Sequence, residues 1–330
     1  MRVLYLFRPP EAGYSIAKVF REILETVPGA SRIEVPAYGG SPSVLWRNLR
    51  FVRRLRKDFD IFHITGDITY CALALPRHRT VLTMHDMNLL EYYKARGLKG
   101  WLLRLLWYYL PMKRAAVVTC ISKKTQQELI HYYPWVEGKT VVIGDPYDSA
   151  ISYVPKSFPT EKPVILHVGT RPNKNLDRVI QAVRDLPCHL RIIGEPGGSQ
   201  REIIESFGLD YSIAVGLTDA EIVEEYRQAD IISFPSLYEG FGLPIIEGLA
   251  TGRIVVTSKR EPMVSVAGGA AILVDPEDVS SIREGFLRAI QDEPLRRALI
   301  AKGLEVVSAY SVTAISRQYE AVYSKMMHQA

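Results

Sequence analysis

Twelve short runs rich in β-branched and aromatic residues punctuate the sequence, six in each half, with amphipathic stretches between them. In the first half they are Arg2–Phe7, Arg32–Val35, Asp60–Thr65, Thr80–Met84, Ala116–Ile121 and Thr140–Ile143. In the second they are Pro163–Val168, His189–Ile193, Tyr211–Val215, Asp230–Phe234, Ile254–Thr257 and Ala271–Val274. Intervening stretches such as Leu176–Leu186 and Asp219–Ala229 carry apolar residues at helical spacing. Strands that alternate with helices pair in parallel, because each crossover helix returns the chain to the starting end of the sheet. Two such series in tandem predict two doubly wound α/β domains, over 1–150 and 151–311, with a helix over about 312–330 that packs back on the first. Asp145–Lys162, rich in Pro, Ser and Tyr, reads as the linker. Open α/β sheets bind ligands beyond the carboxyl ends of their strands, so two facing domains place a cleft there.

The 330 residues suffice for two cores, and 47% apolar with 23% charged residues is ordinary for a soluble globular protein. Cys71, Cys120 and Cys188 each stand alone in an apolar stretch, which points to a reducing compartment rather than a disulfide framework. The apolar N-terminal run is interrupted at Arg8, too soon for a signal peptide, and no uncharged run has the length of a transmembrane helix. A cytoplasmic protein is expected. The net charge of +5 is uneven: residues 1–150 carry 22 Lys/Arg against 13 Asp/Glu, residues 151–330 carry 19 against 23. The first half is therefore expected to meet an anionic partner.

Most of the chemistry is concentrated after the run Asp230–Phe234, in Glu239-Gly240-Phe241-Gly242-Leu243-Pro244-Ile245-Ile246-Glu247. Pro244 suits the first turn of a helix, and two glycines before it allow close backbone approach. Free N–H groups at a helix start form an anion site suited to a diphosphate. Flanking carboxylates then make sense as acceptors for hydroxyls, Glu239 from a sugar and Glu247 from a ribose. A second cluster follows Pro163–Val168, where Gly169-Thr170-Arg171-Pro172-Asn173-Lys174 offers two cations to a departing nucleoside diphosphate. Gly216 and Leu217 follow another strand. In the first half, His85-Asp86 ends a strand and can hydrogen-bond a sugar, and Gly13-Tyr14 follow the first strand as a loop for phosphate or acceptor.

The string Glu239–Ala250 resembles the E-G-F-G-L-P-x-x-E-x-x-A hallmark of the retaining GT-B glycosyltransferases of family 4, and the resemblance extends over His167–Arg178, Leu190–Gly194, Gly216–Asp219 and Ala267–Asp278. It implies two Rossmann-like domains facing a cleft, with Glu247 on the nucleotide ribose, Gly216 and Leu217 against the base, Glu239 and His85 on the donor sugar, and Lys174 with Arg171 on the diphosphate. It also implies a front-face displacement in which the leaving phosphate helps deprotonate the acceptor, with no cofactor and no metal. Gly-Thr…Lys-Asn-Leu-Asp-Arg is similar to mannosyltransferases, which favours GDP-mannose over UDP-glucose or UDP-N-acetylglucosamine. The expected setting is cell-surface polysaccharide or glycolipid synthesis on a glycan or lipid-linked acceptor. The sequence departs from the family in the single glycine at Gly13, in Val264-Ser265 where Pro-Glu is common, and in Gly144–Asp148.

Residues 47–57 and 92–114 mix Lys and Arg with Trp, Tyr and Leu at helical spacing, a pattern that suits either an anionic membrane surface or a packed helix with a basic solvent face. No nucleic-acid motif is present. Asp58-Phe59-Asp60 has the spacing of a metal-binding pair but opens a strand rather than ending one, so it reads as a strand-entry pair. The rival functions are a GT-B-fold sugar-nucleotide epimerase and a non-catalytic glycosyltransferase-like binding subunit.

Overall fold

Six parallel strands form the sheet of the first unit: β1 (Val3–Phe7), β2 (Ala30–Glu34), β3 (Ile61–Ile64), β4 (Thr80–Met84), β5 (Val117–Cys120) and β6 (Thr140–Val142), in the order β2-β1-β3-β4-β5-β6. Six more form that of the second: β7 (Val164–Val168), β8 (His189–Ile193), β9 (Tyr211–Ala214), β10 (Ile231–Phe234), β11 (Ile254–Ser258) and β12 (Ile272–Val274), in the order β12-β11-β10-β7-β8-β9. The computed structural model describes residues 1–12, 15–87 and 97–329. The first unit comprises Met1–Pro146 with Val312–Ala330, the second Tyr147–Ser311. All twelve expected runs are strands, most of them shorter by a residue at an end. Pro163, with no N–H to give the ladder, stays outside β7. β1, β3, β4, β10 and β11 are buried along their whole length, as strands covered by helices on both faces must be.

Strand order reverses between β1 and β3 and again between β7 and β10. At such a switch point the two outgoing loops diverge and leave a crevice beyond the strand ends. In the second unit those loops carry Lys174 and Glu239. In the first they carry Arg8 and Thr65–Asp67.

The helix Val312–Gln329 returns to the first unit and buries Tyr319 and Tyr323 against its sheet. Tyr323 donates to Tyr5 Oη at 2.8 Å, which leaves its oxygen to accept from His63 Nδ1 at 2.6 Å. His63 Nε2 then accepts from Thr83 Oγ1 at 2.6 Å, and Thr83 is bonded to Thr119 at 2.7 Å. Burial first, and the neighbouring His85 second, push the His63 pKa down to about 3, so the ring is neutral. The sequence shows His63 as a plain strand residue; the fold makes it the centre of this buried chain.

The stretch Glu293–His328 has the length of a membrane span, and one 18-residue window within it reaches a mean hydropathy of 1.4. It is interrupted by the short 3-10 turn Ser308–Tyr310 and extended Ser311, and its two helices belong to different units.

On the first unit, the helix Pro42–Arg54 and the helical run Leu98–Arg114 both pack on the 3-10 helix Thr69–Ala74. The run is α-helical at its ends and π-helical over Arg104–Tyr109. Pro111 explains the distortion: it has no N–H for the carbonyl of Trp107 and its ring crowds that oxygen. Thr69 Oγ1 takes up the freed carbonyl at 2.5 Å.

Candidate glycosyl-transfer site

In the second unit the loops after β7 and β10 are laced together. Leu237 N donates to Asn173 O at 2.8 Å, and Asn173 Nδ2 to Tyr238 O at 3.1 Å. Buried Asn175 adopts a left-handed conformation, φ 65°, and bridges Pro235 O at 2.9 Å and Pro276 O at 2.6 Å. A non-glycine residue in that region is strained, and these two bonds hold it there. The lacing sets Lys174 Nζ 2.7 Å from Glu239 Oε1, with Asn173 Nδ2 at 3.5 Å from the same oxygen. Lys174 Nζ also lies 4.6 Å from the centre of the Phe234 ring. Gly169, at φ 93°, is needed for this placement: a Cβ there would come within 3.0 Å of Lys174 Cγ. Arg171 is exposed on the same loop.

Gly242, at φ 112°, turns the chain into the helix Leu243–Thr251, with Pro244 in its first turn. A side chain at Gly242 would meet Ile245 Cδ1 at 3.1 Å. Gly240 is half-buried, while Phe241 is buried and packs edge-on to Tyr310. One turn into the helix, Glu247 is half-buried and accepts from Tyr226 Oη at 2.6 Å. Gly216, φ 68°, and Leu217 precede the helix Asp219–Gln228, which Thr218 caps with Glu221 in a reciprocal capping box.

His85 lies in the first unit, beyond β4. Its Nε2 lies 2.7 Å from the carbonyl of Thr65, which only accepts, so Nε2 carries a proton. It lines a cavity of about 240 Å³ with Arg8, Asp67, Asp86, Trp107 and Tyr108. Arg8 Nη1 is 3.5 Å from Asp67 Oδ1, Tyr38 donates to Asp67 Oδ2 at 2.8 Å, and Trp107 Nε1 to Asp67 O at 2.9 Å. Gly13 and Tyr14 lie outside the described residues. Asp60 accepts from Arg2 N at 2.7 Å at the entry to β3, away from the carboxyl ends. Among the described residues no group of three or more His, Cys, Asp or Glu is placed to hold a metal ion.

Residues 152–306 match the model for glycosyl transferases group 1, and residues 2–150 match that for glycosyltransferase family 4. The chain belongs to the GT-B glycosyltransferases of family 4. Among curated relatives it is similar to the O-antigen chain mannosyltransferase B of Escherichia coli, 26% identical over 71% of this chain and 67% of the relative. It is 28% identical to the serotype-specific mannosyltransferase WbdA of Escherichia coli over 60% of this chain, a match that spans only 27% of WbdA. Anabaena HepE, solved in complex with UDP and glucose, superposes with a TM-score of 0.78 over 98% of this chain and all of that one, at 15% identity, and shares the fold.

In this glycosyltransferase several site groups escape the motif. Tyr226 looks like an ordinary apolar position of its helix, and only the fold brings it under Glu247. Asn173 and Asn175 look like turn residues, yet they lace the two loops. Arg8, Asp67 and Trp107 are far apart in sequence, and only the fold brings them together.

Proposed function

We propose that this glycosyltransferase is a retaining hexosyltransferase that uses a nucleotide diphosphate sugar, GDP-mannose before UDP-glucose or UDP-N-acetylglucosamine. The acceptor is a glycan or lipid-linked sugar in polysaccharide or glycolipid assembly. The observation that carries the reading is the Lys174–Glu239 contact of 2.7 Å at the switch point of the second sheet. A cation and a hydroxyl acceptor held side by side suit a diphosphate and the sugar attached to it. On binding, Lys174 turns from Glu239 to the diphosphate, joined by Arg171, and stabilises the charge that develops as the glycosidic bond breaks. Glu239 is released to accept from donor hydroxyls, and Glu247 accepts from the ribose. The leaving phosphate takes the acceptor proton on the same face, which gives retention without a side-chain base or a bound metal. The mannosyltransferase relatives support mannose as the sugar.

A thermal-shift panel of GDP, UDP and their sugars tests the donor. GDP-mannose at about 100 times its dissociation constant is expected to add about 2.7 kcal/mol of stability. No shift with any member of the panel sinks the donor site. Loss of GDP-mannose without a mannosylated product, across lipid-linked and glycan acceptors, counts against transfer.

A further inference from the structure

We propose that one face of the first unit, formed by the helix Pro42–Arg54 and the helical run Leu98–Arg114 around the 3-10 helix Thr69–Ala74, docks on an anionic lipid bilayer. Segments 42–57, 69–79 and 97–114 contain twelve Lys/Arg and no Asp/Glu, in a chain with 36 acidic residues. A solvated helix face ordinarily mixes both signs. Three adjoining segments without a single carboxylate complement a surface of negative charge, although the bordering stretch that supplies Tyr132 and Trp135 adds Glu128 and Glu137.

Aromatic side chains are interleaved with the cations. Trp46 is 62% exposed, Trp101 58%, and Tyr109, Tyr132 and Trp135 about two-fifths each. Arg50 stacks over Trp46, and Lys113 lies 4.4 Å from the Trp135 ring and 5.7 Å from that of Tyr109. One groove is lined by Trp46, Arg50, Arg53 and Arg56, another by Trp101, Arg104, Leu105, Tyr109 and Tyr132. Beside the first groove Arg114 donates to Leu75 O, and after burial it is Arg53 and Arg114 that hold down the pKa of Arg56. Trp and Tyr flanked by Lys and Arg match the interfacial zone of a bilayer, where rings enter the headgroup layer and cations meet phosphate. Nucleic acid would also meet the charge, but it gains little from apolar Leu98 and Leu102, which are 73% and 40% exposed.

The helical run also forms a wall of the cavity around His85. Trp101, Arg104, Leu105 and Tyr109 line the groove, while Trp107 and Tyr108 line that cavity. A lipid-linked acceptor held in the bilayer then has one helix to cross, an implication that rests on the proposed transferase reading; docking itself does not.

The test is flotation with vesicles of phosphatidylcholine alone or mixed with phosphatidylglycerol, without donor or acceptor. Binding is expected only with phosphatidylglycerol, weakening as salt rises. Brominated acyl chains are expected to quench the tryptophan fluorescence. Arg50→Glu, Arg53→Glu and Lys113→Glu combined are expected to lower the partition coefficient at least on the order of 100-fold, with turnover on a soluble acceptor unchanged. Equal binding to both vesicles, absence of bromine quenching, or capture by RNA without vesicle binding overturns the proposal. Because quenching is read on the unaltered protein, a variant that fails to fold does not shield it. Docking without turnover would disprove the transferase reading alone.

Discussion

Tyr226, fully buried in the helix Asp219–Gln228, donates its phenol proton to Glu247 Oε2 at 2.6 Å and so aims the carboxylate proposed to hold the ribose. Burial and the adjacent Glu247 both raise the phenol pKa, so Tyr226 remains a donor at any working pH. Tyr226→Phe keeps the ring and removes the proton. Donor KM and the nucleoside diphosphate Kd are expected to rise about tenfold with kcat nearly unchanged. A 2′,3′-dideoxyribose nucleotide should show no such loss. Equal losses for both nucleotides would place the effect in packing instead.

Glu239 Oε1 lies 2.7 Å from Lys174 Nζ, so removing its charge should separate binding from turnover. Glu239→Gln is expected to leave the affinity for free nucleoside diphosphate unchanged or improved, because Lys174 is released to the phosphates. Turnover of the sugar nucleotide is expected to fall roughly 100-fold. Lys174→Ala should lower both. Calorimetric titration with the diphosphate beside steady-state kinetics distinguishes the two, and parallel losses in Glu239→Gln would contradict the proposed exchange of partners.

Asp145, buried where the first unit ends, has its pKa raised to about 6 by burial, against a smaller lowering by His85. A carboxyl with a raised pKa holds its proton in the folded state after the unfolded chain has lost it, so it makes stability fall as pH rises from about 4 to 6. His63 and His167, both pushed down to about 3 chiefly by burial, act oppositely: the unfolded chain binds their protons first, and stability rises with pH from about 3 to 6.5. In the first unit Asp145 and His63 therefore offset one another between about 4 and 6. Asp145→Asn is expected to raise stability at pH 7 by about 3 kcal/mol and to expose an upward slope between pH 4 and 6. Denaturant midpoints across that range measure it, and an unchanged slope would rule out a buried charge at Asp145.

Tyr323→Phe deprives His63 Nδ1 of its acceptor and Tyr5 of a donor inside the first unit. The cost of an unsatisfied buried group, about 1–3 kcal/mol, should fall on that unit. Amide exchange is expected to speed up in β1, β3 and β4 while β7 and β10 keep their protection. Uniform acceleration across both sheets would show that the network is not local.

Both sheets could be read from sequence because their strands are short β-branched runs bounded by turn residues, and burial on both faces leaves that pattern intact. The glutamate pair was legible for a similar reason, since Glu239 and Glu247 lie on one continuous loop and helix. Contacts across loops were not. Lys174 and Glu239 are 65 positions apart, and only the lacing by Asn173 and Asn175 joins them. The edge-on packing of Phe241 on Tyr310 was not legible either. In residues 97–114 the ordinary helical period does not predict which side chains face out, because the π-helical segment at Pro111 shifts that period.

The helix Val312–Gln329 completes a core whose first strand begins at Val3, with the whole second unit lying between them in sequence. During synthesis the second unit therefore emerges while Tyr5, His63 and Thr83 still lack the tyrosines that cover them. The order of folding is inverted relative to the order of translation: Tyr147–Ser311 can close first, and the domain started earliest finishes last. A chain stalled between these two events carries an open aromatic seam.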